Sequence, residues 1–192
     1  YLGAAKGCQD FILVSIHHGA GSGIVSNGQL LLGKNRNVGE IGHIQIDPFG
    51  EQCHCGNFGC LETLVANKAI MAQTRALLAK GHKSTLQSEN LSIEKICQAA
   101  IRNDQVAVQI IRQAGENLGR ILAILVNLFN PEKILLAGEI VQSAAVLFPA
   151  LLQQIQRQSL PNFHHELHLD QAHFQGQGTM GGYALIKRAL HE

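Results

Sequence analysis

Residues 11–23, FILVSIHHGAGSG, decide the fold class of this protein. Their first six residues form an apolar run rich in β-branched and aromatic side chains, which predicts a buried strand. The glycines that follow predict a turn at the end of that strand. Further on, Asn27-Gly28 is a strong hairpin signal in front of the apolar residues 30–32. We therefore expect two antiparallel strands near the start of the chain.

Helical and strand-like patterns alternate along the rest of the chain. Asp104 is a suitable N-cap for a long helix, which Asn130-Pro131 stops after Phe129. Apolar spacing and turn residues together predict helices over residues 62–80, 92–101, 104–129, 144–159 and 178–190, and strands over residues 133–137 and 166–169. Strands that alternate with helices are typical of an α/β fold.

Composition and charge exclude several classes of protein. Apolar residues make up 46% of the 192 residues, which is enough to fill a core, and charged residues make up 15%. The formal net charge is +1 with Lys and Arg scattered, so these residues carry no electrostatic footprint for nucleic acid. The longest apolar run is far shorter than the ~20 residues that span a bilayer. We expect a globular protein that neither binds DNA through these residues nor has a membrane partner.

A cysteine-rich segment predicts a metal site. Three of the five cysteines, Cys53, Cys55 and Cys60, fall within eight positions, and His43 precedes them. Thiolates and imidazole are preferred ligands of tetrahedral zinc, and four protein ligands leave no position for a water molecule. We expect one structural zinc ion per chain. The alternative is three reduced cysteines packed in a loop.

The same cysteines indicate where the protein works. An odd count with clustered spacing favours metal ligation in a reducing compartment over a disulfide framework, so we expect a cytoplasmic protein. His54 stands between two predicted ligands, and we expect its side chain to point away from the metal. The chain opens at Tyr1 without an initiator methionine or signal peptide, which favours a piece of a longer chain.

Two carboxylates are tied to the predicted metal ligands. Glu40 lies three residues before His43, and Glu62 lies two residues after Cys60. Carboxylates in fixed positions are good acceptors for sugar hydroxyl groups. The alternatives are a solvated loop residue for Glu40 and a favourable charge at a helix N-terminus for Glu62.

The glycines after the first predicted strand are candidates for binding a phosphate. Gly19, Gly21 and Gly23 could bring backbone N–H groups close to a phosphate or a sugar. The sequence matches neither the P-loop nor the dinucleotide-binding fingerprint. An ordinary turn at the end of a strand is the alternative.

Residues 40–43, EIGH, followed by residues 53–62, CHCGNFGCLE, resemble the signature of the ROK family of repressors, open reading frames and sugar kinases. The resemblance extends over residues 11–62, 128–131 and 134–140. It implies an actin-like or RNase H-like α/β lobe with a zinc-stapled loop, with residues 1–192 forming the C-terminal part of a two-lobed sugar-sensing domain. It also implies that zinc is held by His43, Cys53, Cys55 and Cys60, and that the sugar is bound by Glu40, Glu62 and His43.

Within the family the resemblance favours a transcriptional repressor of amino-sugar metabolism over an enzyme. We expect this chain to sense a sugar-phosphate effector, with N-acetylglucosamine 6-phosphate as the first candidate. Operator DNA would be bound by an N-terminal winged-helix domain absent from this chain, and the protein would be a homo-oligomer.

The alternative is the C-terminal half of an ATP-dependent sugar kinase. Family kinases carry a glycine-rich turn against the nucleotide, whereas residues 136–139 read LAGE here. A carboxylate at Glu139 would repel phosphates, which disfavours the kinase. The glycines at 19, 21 and 23 resemble the second phosphate loop of the family kinases, so the kinase alternative stays open.

Overall fold

A mixed five-stranded sheet forms the centre of the protein in the computed structural model, which describes residue 5, residues 7–35 and residues 37–172. Its strands are β1 (Phe11–Ile16), β2 (Ala20–Ser26), β3 (Gln29–Leu30), β4 (Lys133–Ala137) and β5 (His168–Gln171). Their order across the sheet is β3-β2-β1-β4-β5. The β1–β2 and β2–β3 pairs are antiparallel, while β1–β4 and β4–β5 are parallel.

Helices cover the sheet and fill its connections. They are α1 (Glu62–Val65), α2 (Asn67–Ala79), α3 (Ile93–Ile101), α4 (Gln105–Phe129), α5 (Ala144–Gln158) and α6 (Pro161–His164). Three short 3₁₀ helices span Ile41–His43, Ser88–Asn90 and Glu139–Ser143. The predicted α/β class is therefore confirmed. In the part of the chain that the structure describes, no helix is long and apolar enough to cross a membrane.

The hairpin predicted from Asn27-Gly28 is present. Both residues have positive φ angles, 50° and 72°, as a tight turn between antiparallel strands requires. The Asp10 carboxylate accepts hydrogen bonds from the Ser26 hydroxyl and from the Asn27 N–H, which holds the turn against the start of β1. The second strand of the hairpin is shorter than the apolar run 30–32 suggests, because only Gln29–Leu30 pairs with β2.

The long helix α4 begins and ends where local signals place it. Asp104 accepts a hydrogen bond from the Ala107 N–H at the N-terminus. Asn130 adopts a left-handed conformation with φ of 43° at the C-terminus, directly before Pro131. Most of the inward face of α4 is buried against α2, α3 and α5, so the helix belongs chiefly to the core of this lobe.

Two further predicted elements differ from the structure, and one lies outside the described residues. The helix expected over residues 62–80 is interrupted at Ala66, whose ψ of 153° is extended. The Asn67 N–H donates to the His17 carbonyl there instead of continuing the helix ladder. The last strand spans His168–Gln171, so it begins two residues later than expected. The helix expected over residues 178–190 lies outside the described residues.

Candidate functional site

An irregular segment, residues 39–61, lies against β2 and carries most of the candidate residues. Two glycines make this contact possible. A Cβ atom on Gly39 would collide with the Ser22 carbonyl, and one on Gly42 would collide with the Ala20 carbonyl. The Ser22 N–H in turn donates to the Gly39 carbonyl at 2.7 Å. The segment is therefore fixed on the first half of β2.

Four side chains of this segment form a cluster that could hold a metal ion. The ligand atoms of His43, Cys53, Cys55 and Cys60 all lie within 4.8 Å of one another. Cys53 Sγ is 3.6 Å from His43 Nδ1, and Cys55 Sγ is 3.8 Å from Cys60 Sγ. Cys53 and Cys60 are buried, whereas Cys55 is exposed. The structure thus brings together all four residues that the sequence singled out as metal ligands.

Two tight turns place the three cysteines. The Gly56 N–H donates to the Cys53 carbonyl and the Cys53 N–H donates to the Asn57 carbonyl, which closes a loop around Cys55. Gly56 has a φ of 92°, a conformation that favours glycine. Gly59, with a φ of 61°, packs against the Asp47 backbone so closely that a Cβ would collide with it. These glycines allow residues 53–60 to turn tightly enough to bring the three cysteine sulfurs together.

The thiols of the cluster differ in their acidity. Burial, followed by hydrogen bonds with the Cys55 and Cys53 sulfurs, raises the pKa of Cys60 to about 12. A hydrogen bond with the Asn57 backbone lowers the pKa of Cys55 below its ordinary value. Metal ligation requires thiolates, and a bound cation would stabilise the charged form of Cys60 against the effect of burial.

Glu62, the first residue of α1, lies beside the metal cluster. Its Oε1 is 2.9 Å from His54 Nδ1, and the Glu62 side chain is only 17% exposed. Its Oε2 faces Gly19, where an added Cβ would lie 2.6 Å from that oxygen. The carboxylate is therefore held between the metal segment and the turn that joins β1 to β2.

His54 does not point away from the cluster, contrary to the expectation from sequence. Its Nδ1 lies 3.8 Å from Cys53 Sγ, and its ring packs edge-on against the His43 ring at 5.0 Å between centroids. Cys53, His54 and Glu62 form a second group with metal-binding side chains. The same Nδ1 atom contacts Glu62 Oε1 at 2.9 Å, although the His54 side chain as a whole is 70% exposed.

Glu40 is exposed and sits directly before the 3₁₀ helix that carries His43. Its backbone carbonyl accepts a hydrogen bond from the His43 N–H at 3.1 Å. Because Gly39 and Gly42 fasten this segment to Ala20–Ser22, Glu40 lies near the start of β2, as Glu62 does through Gly19. The two residues predicted to bind the sugar thus flank the same end of one strand.

The three candidate phosphate-binding glycines do not share a turn. Gly19 lies in the connection between β1 and β2, but Gly21 and Gly23 lie inside β2 opposite Ser15 and Leu13. The Ser22 N–H points away from β1, toward Gly39. Since successive N–H groups point to opposite sides of a strand, those of Gly21 and Gly23 face β1. Of the three glycines, only Gly19 lies outside the strands, in the β1–β2 connection beside Glu62.

A polar cluster that no sequence pattern predicts lies at the carboxyl ends of β1 and β4. Glu139 Oε2 lies 2.8 Å from His17 Nδ1 and accepts a hydrogen bond from Asn67 Nδ2 at 2.9 Å. In the sequence, Glu139 stands out only as a charge within LAGE, and His17 only as a residue after a strand. His17 and Glu139 are 122 positions apart in the sequence, and Asn67 and Glu139 are 72 apart, so no local sequence pattern predicts these contacts.

Comparison with known proteins shows that the chain is similar to transcriptional regulators and to glucokinases of one family. A sequence model of the ROK family matches residues 1–189. The chain is 46% identical over 190 residues to the DNA-binding transcriptional dual regulator NagC of Escherichia coli strain K12, an alignment that covers 99% of this chain and 47% of NagC. It is 29% identical over 168 residues to a glucokinase of Thermotoga maritima, covering 85% of this chain and 53% of that protein. The chain spans about half the length of these curated relatives.

The fold agrees with these sequence matches. The crystal structure of a ROK family transcriptional regulator, a homologue of the E. coli MLC protein, matches with a TM-score of 0.93 at 49% identity, over 98% of this chain and 48% of that chain. The actin-like α/β fold expected from the resemblance is confirmed. Identity to the regulator NagC is also higher than identity to the glucokinase.

Proposed function

Because the chain belongs to the ROK family, we propose that it is the effector-sensing portion of a transcriptional repressor of amino-sugar metabolism and binds a sugar phosphate to control operator affinity. The observation that carries the proposal is the position of Glu62, a carboxylate held between a metal-binding segment and the β1–β2 turn. The 46% identity to NagC over nearly the whole chain supports a regulator rather than an enzyme.

Zinc is the metal that the cluster suits. Zinc–sulfur bonds of about 2.3 Å give a tetrahedron with edges of about 3.8 Å, and zinc–nitrogen bonds are slightly shorter. The distances of 3.8 Å between Cys55 and Cys60 and of 3.6 Å between Cys53 and His43 fit those edges. Four protein ligands leave no coordination position for a substrate, so the ion is structural. We propose one zinc ion per chain.

The sugar is bound by Glu40, Glu62 and His43 in this proposal. A hydrogen bond to an ionised group contributes roughly 1.5–3 kcal/mol, about twice the contribution of a neutral pair. Zinc would hold the backbone that follows Glu40 through His43 and the backbone that precedes Glu62 through Cys60, which reduces the ordering cost of binding. With His43 Nδ1 toward Cys53, the Nε2 atom is the ring nitrogen left for a sugar hydroxyl.

The phosphate of the effector needs a different environment. Glu62 would repel it, and Gly19 lies directly beside the Glu62 carboxylate. The N–H groups of Gly21 and Gly23 face β1. None of the three candidate glycines is therefore a suitable donor, and the proposal places the phosphate on the side of the sugar that faces away from Glu40 and Glu62. N-acetylglucosamine 6-phosphate is the first effector to test, given the identity to NagC.

Effector binding would act on DNA through a shift between two arrangements of the whole protein. A ligand that binds one arrangement better than another shifts the population toward it, and operator affinity follows. The scattered Lys and Arg residues do not form a DNA-binding surface in this sequence. The proposal therefore places operator contacts in a part of the protein outside residues 1–192, and it includes a homo-oligomer.

Calorimetry on the intact protein tests this function. We expect saturable binding of N-acetylglucosamine 6-phosphate, with binding to glucose 6-phosphate at least tenfold weaker. Glu62→Gln should weaken binding by about tenfold or more, equivalent to ~1.4 kcal/mol. Glu51→Gln is the matched control, because Glu51 is an exposed carboxylate on the same segment.

Three results would contradict the proposal. Unchanged affinity in both Glu62→Gln and Glu40→Gln would remove these carboxylates from the site. Absence of binding to any amino-sugar phosphate would remove the effector. Transfer of phosphate from ATP to a sugar by the intact protein would establish the kinase alternative. The 29% identity to a glucokinase is the reason to test for it.

A further inference from the structure

The carboxyl ends of β1 and β4 form an edge where α/β proteins commonly bind anionic ligands. Ligands of open α/β sheets bind outside the carboxyl ends of parallel strands, and phosphates favour helix N-termini and glycine turns. All three features meet here. β1 and β4 are parallel neighbours, Gly19 follows β1, and the 13-residue helix α2 begins at Asn67, whose N–H donates to the His17 carbonyl after β1.

A carboxylate of the protein itself occupies this edge. Gly138, with a φ of 122°, turns the chain so tightly over β1 that a Cβ would collide with the Ile16 carbonyl. The next residue, Glu139, thereby places its Oε2 against His17 Nδ1 and Asn67 Nδ2. These two groups are the kind of donors that a bound phosphate would use, and Glu139 already takes both.

The carboxylate is ionised at neutral pH. Partial burial raises the pKa of Glu139, but hydrogen bonds from Asn67, from its own backbone N–H and from His17 outweigh the burial and leave the pKa below its ordinary value. A nucleotide or inorganic phosphate at this edge would therefore meet a fixed negative charge within a partly desolvated site, where repulsion is stronger than in water.

A second observation points the same way. Asn67 is only 7% exposed, and its Oδ1 is the buried side-chain oxygen or nitrogen without a hydrogen-bond partner among the described residues. That oxygen is an acceptor. Because the amide nitrogen of Asn67 already donates to Glu139 Oε2 and its oxygen can only accept, Asn67 directs its donor to the carboxylate instead of offering it to a phosphate.

We propose that Glu139, positioned by His17 and Asn67, acts as a built-in anion that closes this edge of the sheet to nucleotide phosphates. Glu139 is thus a specificity-determining residue, and the inference goes beyond effector sensing because it explains how a chain related to glucokinases would avoid a nucleotide. It rests on no assumption about which sugar is bound near Glu62.

Titration of the intact protein with a fluorescent N-methylanthraniloyl ATP in the presence of Mg²⁺ tests the inference. We expect no saturable binding to the unaltered protein at millimolar nucleotide. Glu139→Gln removes the charge while keeping the side-chain shape, and nucleotide binding should become at least tenfold tighter. Glu139→Ala serves as a second variant, and thermal melts report whether each variant folds. Glu166→Gln is the control. It removes an exposed carboxylate just before β5, at the amino ends of the parallel strands and so at the end of the sheet opposite to Glu139.

Two outcomes would overturn the inference. Nucleotide binding to the unaltered protein within tenfold of Glu139→Gln would show that the carboxylate excludes nothing. Failure of folded Glu139→Gln and Glu139→Ala to bind nucleotide would show that another feature prevents binding. Calorimetry with N-acetylglucosamine 6-phosphate on the same samples separates this question from the proposed function, because sugar-phosphate affinity should be the same in the unaltered protein and in Glu139→Gln.

Discussion

His54 Nδ1 lies 2.9 Å from Glu62 Oε1, so a residue between two candidate metal ligands directly contacts the carboxylate proposed to bind the sugar. The His54 side chain is 70% exposed, whereas Glu62 is 17% exposed. The other oxygen of Glu62 faces Gly19. A ring held by the metal segment therefore fixes one oxygen of the carboxylate and leaves the other directed at the β1–β2 turn.

This contact predicts that His54 is a positioning residue for Glu62. His54→Ala should weaken sugar-phosphate binding about three- to fivefold, because a single hydrogen bond contributes about 1 kcal/mol. Calorimetry on the intact protein measures the affinity, and the metal content should stay unchanged. His165→Ala, at an exposed position near β5, is the matched control. Equal affinities for His54→Ala and the unaltered protein would mean that Glu62 is oriented without the ring.

The cluster of His43 and three cysteines predicts a metal-dependent local fold. Cys55→Ser should remove one zinc equivalent per chain and loosen residues 39–61, because the binding of a structural metal ion contributes directly to the free energy of folding. Elemental analysis and hydrogen exchange measure the two effects. Cys8→Ser, at a partly buried cysteine away from the cluster, should change neither. A folded, unaltered protein without stoichiometric zinc would rule out the prediction.

Features encoded by neighbouring residues were predictable from the sequence. The hairpin depends on the two turn residues Asn27-Gly28, and the ends of α4 depend on Asp104 and Asn130. The metal cluster was predictable for a related reason, since three of its four ligands lie within eight positions and their residue types restrict the chemistry.

Features that depend on distant contacts were not predictable. The break at Ala66 comes from a hydrogen bond between the Asn67 N–H and the His17 carbonyl, which a helical apolar pattern cannot reveal. His54 contacts Glu62, and Glu139 contacts His17, only because the fold brings these residues together. The glycines at 21 and 23 read as a turn locally, but pairing with β1 makes them part of a strand.

Asp104 should make the stability of the protein depend on pH in the acid range. Partial burial raises the pKa of Asp104, but hydrogen bonds from the Thr85 and Ala107 N–H groups and from the Ser84 and Thr85 hydroxyls outweigh it and lower the pKa. A carboxyl whose pKa is lower in the folded state contributes stability above its unfolded value. That contribution is lost as pH falls below about 4 through the folded pKa.

The corresponding variant is Asp104→Ala, which should lower the free energy of unfolding by about 1–2 kcal/mol at pH 7 through loss of the helix cap. Urea unfolding of the intact protein should show this difference shrinking as pH falls below about 4, because the unaltered protein then loses its charged cap as well. Asp104→Asn keeps a capping oxygen and should cost less. A difference that stays constant down to pH 2 would contradict the lowered pKa of Asp104.

Helix α4 approaches α5 closely at two glycines on the same face. A Cβ on Gly119 would lie 2.6 Å from the Leu151 carbonyl oxygen and 2.8 Å from Gln154 Cβ. At Gly115 the nearest atom, the Leu147 carbonyl oxygen, would be 2.8 Å away. The atoms that would be displaced in both cases include backbone oxygens of a helix, which cannot rotate aside as the end of a flexible side chain can.

The sign of Gly119→Ala depends on two opposing effects. Alanine in a helix interior is favoured over glycine by about 1 kcal/mol. Overpacking a tightly filled interface costs about 1–3 kcal/mol, and contacts this short belong at the upper end because α5 must move. We therefore expect Gly119→Ala to destabilise the intact protein by about 1–2 kcal/mol in urea unfolding, with a smaller loss for Gly115→Ala. Gln109→Ala, on the exposed face of α4, should be neutral or slightly stabilising. A Gly119→Ala protein as stable as the control would mean that α4 and α5 can separate without cost.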